Sequence, residues 1–190
     1  GGRWVCVLGS GDPLCHGVGT TISRHVPAHE MRVLPAPSAF SLAASRLGWA
    51  LPAVETISLH GKPIDLLRPL LHPGARILAL TSDADGPGEV AALLAATGFG
   101  VSTLTVLEAL GGPSERIRST AAANFALENI NPLNVLAIDV DSDCKARILP
   151  LAPGMDDALF EHDGQITKRE SRAVTLSALA PRRGELLWDI

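Results

Sequence analysis

Residues 8–19 read Leu8-Gly9-Ser10-Gly11-Asp12-Pro13-Leu14-Cys15-His16-Gly17-Val18-Gly19. Four glycines and a proline fall within the eleven residues from Gly9 to Gly19. That density suits a tight turn where a ligand comes close to the backbone. The turn follows a strand-like run and precedes a helix-like one, and open α/β folds bind ligands in loops at the carboxyl ends of strands. Spacing excludes two phosphate chemistries. A dinucleotide fingerprint starting at Gly9 needs its third glycine at position 14, which is Leu14, and no Gly-Lys-Ser/Thr phosphate loop is present. The plain alternative is a glycine-rich turn that holds nothing.

Other reactive groups are weighed the same way. Cys15-His16 is adjacent in sequence, a spacing at which two side chains rarely face each other as nucleophile and base. Asp12 either contacts a ligand or fixes its own turn through the backbone. Asp83-Ala84-Asp85-Gly86 lacks the later ligands of a calcium loop. Asp139, Asp141 and Asp143 alternate along a strand end and are expected to face solvent. Cys6, Cys15 and Cys144 have no zinc-like spacing, and an odd count speaks against a disulfide framework. A reducing, cytoplasmic setting follows.

The elements that must hold these groups are read from short apolar runs bounded by Gly, Pro or polar clusters. Strands are expected at Trp4–Leu8, Met31–Leu34, Thr56–Leu59, Arg76–Thr81, Val101–Leu107, Val135–Val140 and Glu185–Asp189. Helices are expected at Ser38–Gly48, with Ser38 as N-cap and Phe40 and Leu47 in the core, at Ile64–Leu71, and at Gly88–Thr97 with Gly98 just beyond its end. Glu115–Asn129 reads as helix-compatible. Thr167-Lys168-Arg169-Glu170 fits a capping box ahead of an amphipathic helix through Val174, Leu176 and Leu179. This alternation predicts an α/β protein with a largely parallel or mixed sheet.

Composition narrows the class. The chain has 190 residues, 46% hydrophobic and 19% charged, so a packed core is expected. Its 18 glycines and 14 prolines imply many tight loops. Aromatic residues are 4%, and the net charge is −4 with no basic block, which argues against nucleic-acid binding. No apolar run approaches the ~18 residues of a membrane span.

Several segments together resemble one family. Ser10-Gly11-Asp12-Pro13 followed by Gly17 resembles the signature loop of the tetrapyrrole (cobalamin-pathway) methyltransferases. Leu34-Pro35-Ala36-Pro37-Ser38-Ala39 is similar to the family's turn into a helix, with Ala36-Pro37 where Pro-Gly is commoner. Ser58-Leu59-His60-Gly61 resembles the start of the second lobe in the C5-methylating branch. Leu110-Gly111-Gly112-Pro113-Ser114-Glu115-Arg116-Ile117 and Asn131-Pro132-Leu133-Asn134-Val135 are similar to later stretches of it. The tail, Ile166-Thr167-Lys168-Arg169-Glu170 with Arg172 and then Leu187-Trp188-Asp189-Ile190, resembles the start of a fused partner domain. In fused members that domain methylates C15 and decarboxylates an acetate side chain. Ser171 stands where an apolar residue is expected.

The resemblance implies a two-lobed tetrapyrrole-methylase fold with mixed sheets. Residues 1–52 would be the remainder of an N-terminally truncated first lobe, 53–149 the second lobe and 150–166 a linker. Residues 167–190 would begin a Rossmann-like methyltransferase domain. Both ends read as cuts through structure, so an internal fragment is expected, one that by itself binds cofactor poorly and turns over little.

By the same resemblance the activity is carbon methylation of a precorrin, with S-adenosylmethionine as cofactor and no metal. Gly11, Asp12 and Pro13 would hold the methionine end, with Ser38 and Ala39 lining the same cleft. Loops at Leu80-Thr81, Leu107-Glu108 and Leu133 would receive the adenosine. The polycarboxylate macrocycle would meet His16, Arg24 and His60, with Lys62 as a weaker candidate; His60 is otherwise a structural or rim histidine. No residue marks a general base. Family members are commonly dimers, but no residue here marks an interface. Two other readings stay open: another tetrapyrrole methylase of corrin biosynthesis, and a non-catalytic α/β binding domain.

Overall fold

The structure is a computed structural model that describes residues 2–182 and 184–188. Its centre is a five-stranded mixed sheet built from β1 (Glu55–Ser58), β2 (Arg76–Leu80), β3 (Thr103–Glu108), β4 (Arg116–Ala121) and β5 (Asn134–Asp139). The spatial order is β1-β2-β5-β3-β4. Only β1 and β2 run parallel; β2–β5, β5–β3 and β3–β4 are antiparallel. The α/β class and mixed sheet agree with expectation.

Strand periodicity of two sends alternate residues to opposite faces, and both faces are buried. Ile77, Ala79, Leu104, Val106, Leu136 and Ile138 form one core with Val90 and Leu94 of α3 (Gly86–Ala96), together with Leu67, Leu71 and Phe99. Leu78, Leu107, Val135 and Ala137 form the other, with Phe40, Ala43 and Ala44 of α2 (Ala39–Leu47). Each large apolar side chain removed from water here contributes roughly 1.5–3 kcal/mol relative to exposure.

Local chemistry sets the helix ends. Ser38 Oγ accepts from the Ser41 amide at 3.1 Å, and Gly48 closes α2 with φ +67°. Gly98, at φ +87°, follows α3 as expected. A short helix, α1 (Val18–Ile22), follows the glycine-rich loop. A last helix, α4 (Arg169–Leu179), stands among exposed side chains.

Several expectations need correction. Glu115–Asn129 is not helical: Arg116–Ala121 pairs with β3 over six residues, then a single 3-10 turn follows at Ala122–Asn124. Residues 116 and 118 both place their guanidiniums on Glu108, a period-two pattern that only a strand supplies. Trp4–Leu8 and Met31–Leu34 carry the strand pattern but pair with no strand among the described residues, and Trp4 is 99% exposed. Glu185–Trp188 is likewise unpaired; Asp189 lies outside the described residues. The capping box does not form, because the helix starts at Arg169 with Lys168 at its N-cap and no side-chain cap bond. The Thr167 carbonyl instead accepts from Arg172. The Ile64–Leu70 segment is a 3-10 rather than an α-helix and contains Pro69, whose ring nitrogen has no proton to donate.

Candidate functional site

The glycine-rich loop folds against the turn into α2. Gly11 has φ +67°, and a Cβ built there would lie 3.4 Å from the Pro37 carbonyl oxygen and 3.8 Å from Ser38 Cα. Gly11 is thereby brought beside Pro37 and Ser38. Asp12 makes the turn itself: its Oδ1 accepts from the Leu14 amide at 2.9 Å and its carbonyl from the Cys15 amide at 3.1 Å. Gly17 and Gly19 answer to the loop's own closure, since a Cβ on either would stand 2.8 or 2.6 Å from the Pro13 carbonyl oxygen. Ser38 Oγ is engaged in capping α2.

Asp12, Leu14, Cys15, His16, Thr20 and Arg24 line an open depression of about 560 Å³. His16 takes φ +58° and sets its ring edge against Phe40 at 5.9 Å. Two of the three residues expected to meet substrate, His16 and Arg24, therefore share one hollow with Asp12. His60 does not line it; it is exposed just after β1, beside Gly61, whose amide donates to Ser82 Oγ at 3.1 Å. Among the described residues the amides of Gly9, Ser10, Gly11 and Asp12 have no protein acceptor. A backbone with free donors beside a left-handed glycine is suited to a carboxylate.

Leu80, Thr81 and Leu133 meet at one end of the sheet, where Leu80 pairs with Val135. Thr81 Oγ lies 2.7 Å from Asn134 Oδ1 and 3.2 Å from the Asp83 carbonyl oxygen. Asn134 Nδ2 donates to the carbonyls of Asp83 and Asn131, both at 3.0 Å. The Leu133 carbonyl accepts from the Ala109 amide at 2.9 Å, while its side chain is exposed. Asp83 Oδ1 accepts from the amides of Asp85 and Gly86 at the start of α3, which gives this carboxylate a structural task. No cluster of three or more metal-ligating side chains is found among the described residues.

Glu108 is not open to a ligand. Its side chain is 1% exposed and accepts from Arg116 Nε and Nη2 at 2.8 and 2.7 Å, Arg118 Nε at 3.2 Å and the Asn131 amide at 2.8 Å. Burial alone would push its carboxyl up, but the bonds from Arg116, Asn131 and Arg118 hold it at about 2. A second carboxylate ties α2 to the turn after β3: Glu115 accepts from Arg46 Nε at 2.6 Å, Arg46 Nη2 at 3.1 Å and the Gly111 amide at 2.7 Å. These bonds hold Glu115 at about 2 as well. Asn134 and Ser82 were not among the expected site residues. The signal for Asn134 was present as the one polar residue opening an apolar strand, Asn-Val-Leu-Ala-Ile.

A family model described as tetrapyrrole (corrin/porphyrin) methylases matches residues 1–126, and one described as a precorrin methyltransferase domain matches residues 158–190. The precorrin-6Y C(5,15)-methyltransferase (decarboxylating) of Sinorhizobium sp. is 65% identical over 189 residues, covering 100% of this chain and 46% of that protein. The cobalt-precorrin-7 C(5)-methyltransferase of Salmonella typhimurium is 32% identical over 116 residues, 60% of this chain and 56% of that one. The crystal structure of the methyltransferase CobJ superposes with TM-score 0.54 at 18% identity, covering 68% of this chain and 62% of the other, a likeness of fold. The chain thus spans about half the length of the curated relative that it matches from end to end.

Proposed function

Because the chain belongs to the tetrapyrrole (corrin/porphyrin) methylases, we propose that it is part of an S-adenosylmethionine-dependent C-methyltransferase acting on precorrin-6Y in cobalamin biosynthesis. In that reading residues 1–149 carry mainly the C5-methylating half, 150–166 are a linker, and 167–190 begin the C15-methylating, decarboxylating domain. The observation that carries it is the 65% identity running through the whole chain to a C(5,15)-methyltransferase. Likeness to a C(5)-methyltransferase over 116 residues supports giving C5 to this part. A biosynthetic methylation of a polycarboxylate macrocycle fits a cytoplasmic enzyme.

When bound, the cofactor supplies a methyl group on a sulfonium, whose leaving group is a neutral thioether. The protein's task is then orientation and exclusion of water. Gly11 and Asp12 would hold the amino-acid end through their backbone amides, with Pro13, which has no N–H to give, shaping the bend and Ser38 and Ala39 lining the same cleft. Leu80, Thr81 and Leu133 would line the adenosine end; the Thr81 hydroxyl is committed to Asn134, and the exposed Leu133 side chain offers an apolar surface. Arg24 and His16 receive carboxylates of the macrocycle at the hollow, and His60 meets it from the end of β1.

The test is product analysis. The protein, expressed at the full length of its relatives, is supplied with precorrin-6Y and donor bearing a ¹³C-methyl group. Label at C5 and C15 supports the proposal; label at other ring carbons, or none, refutes it.

A further inference from the structure

The sheet end that would carry the adenosine is built from loops far apart in sequence, and one side chain joins them. Asn134 is 7% exposed and Thr81 8% exposed. Asn134 Oδ1 faces the Thr81 hydroxyl at 2.7 Å, while its Nδ2 reaches back to the carbonyls of Asp83 and Asn131 at 3.0 Å each. Its amide group thus spans the loop after β2 and the loop before β5. The second loop is fixed from its other side. Glu108 accepts from the Asn131 amide at 2.8 Å, and Arg116 donates to the Asn129 carbonyl. Asn131 Oδ1 accepts from the Leu133 amide at 2.9 Å. Leu133 is left with an exposed side chain and a carbonyl aimed at Ala109, a residue with φ +47°.

A buried, fully bonded polar group of this kind makes a unique arrangement at a cost in burial. An apolar residue at position 134 would fill the strand end but would remove the side-chain bonds that tie the loop after β2 to the loop before β5. Neither Asn134 nor the Thr81 hydroxyl is free to touch a ligand. The geometry points to the Asn134–Thr81 pair as a positioning device that holds the Leu80–Thr81 and Leu133 backbones in fixed register, side by side along the sheet end against which a purine nucleoside would lie. This inference rests on the proposed function, which supplies the nucleoside.

The experiment uses the protein at the full length of its relatives and reads the site locally. Hydrogen exchange is followed by mass spectrometry over residues 78–86 and 130–136 as S-adenosylhomocysteine is added. In the wild type both segments become protected together. Thr81→Val keeps shape and removes the hydroxyl, leaving Asn134 Oδ1 buried without a donor. It shifts the half-protection concentration up by about tenfold, the size expected for one lost buried hydrogen bond acting on affinity. Thr81→Ser restores the wild-type midpoint. Asn134→Asp, which sets an oxygen against the two carbonyls, shifts it in the same direction and serves if Thr81→Val does not fold. A purely structural pair would lower the melting temperature and leave the midpoint unmoved, and that result overturns the inference while the function stands. Absence of protection in the wild type overturns the function itself.

Discussion

Replacing Glu108 by glutamine tests the physics of the sheet end directly. The substitution keeps the side chain's volume and removes its charge, and the new NH₂ must face at least one of four donors: Arg116 Nε and Nη2, Arg118 Nε and the Asn131 amide. Removing one partner of a buried ion pair costs ~3–5 kcal/mol. Arg116 is 46% exposed and Arg118 24% exposed, so water can take up part of the orphaned charge. The lower bound applies, about 3 kcal/mol. For a chain of this size that lowers the melting temperature by roughly 6–12 °C. The effect is pH-dependent with a definite sign. Glu108 titrates at about 2 in the fold against an ordinary 4.5. Its stabilising contribution is therefore complete above 4.5 and disappears as the pH falls toward 2. Glu115 titrates over the same range but is common to both proteins, so it cancels in the difference. Melting followed by circular dichroism at neutral pH and at pH values through that window should show a large gap that closes in acid. A neutral-pH gap of about 1 °C or less, or one that persists unchanged in acid, would show that the Glu108 ion pairs do not stabilise the fold.

Ser38→Ala removes the acceptor of the Ser41 amide and should destabilise the protein by about 1 kcal/mol, measured by urea denaturation. Arg172 donates to Asp157 Oδ1 at 2.6 Å and to the Met155 carbonyl at 2.6 Å, and stacks on Phe160 at 4.7 Å. Arg172→Ala should therefore speed proteolytic cleavage within residues 155–167 severalfold while leaving cleavage elsewhere unchanged.

What could be read in advance depended on how local each cause was. β1, β2, β5 and α2 were legible because apolar runs, Ser38 and Gly48 carry their own start and stop signals. β4 was not, because its two arginines satisfy Glu108 on a neighbouring strand, a partnership that no window of sequence displays. The apolar pattern of Trp4–Leu8 has the character of a strand, but a strand needs a neighbour and the described residues provide none. In the candidate site, the bend at Gly11–Pro13 was visible from its glycines, and the alternative role for Asp12 as a turn-former was visible from its chemistry. That Gly17 and Gly19 serve loop closure against Pro13 required coordinates. So did the joining of Thr81 to Asn134, 53 positions apart.

In the proposed function the loop through Gly11 receives the amino-acid end of the methyl donor. The most direct test is hydrogen exchange over residues 9–19 in the protein at the full length of its relatives, with and without S-adenosylhomocysteine, in wild type and in Gly11→Val. A valine at φ +67° is strained by roughly 1–2 kcal/mol and must shift the bend. Exchange is expected to slow on addition of the ligand in the wild type and to stay unchanged in the variant. Equal protection in both, or none in the wild type, would contradict that role for the loop.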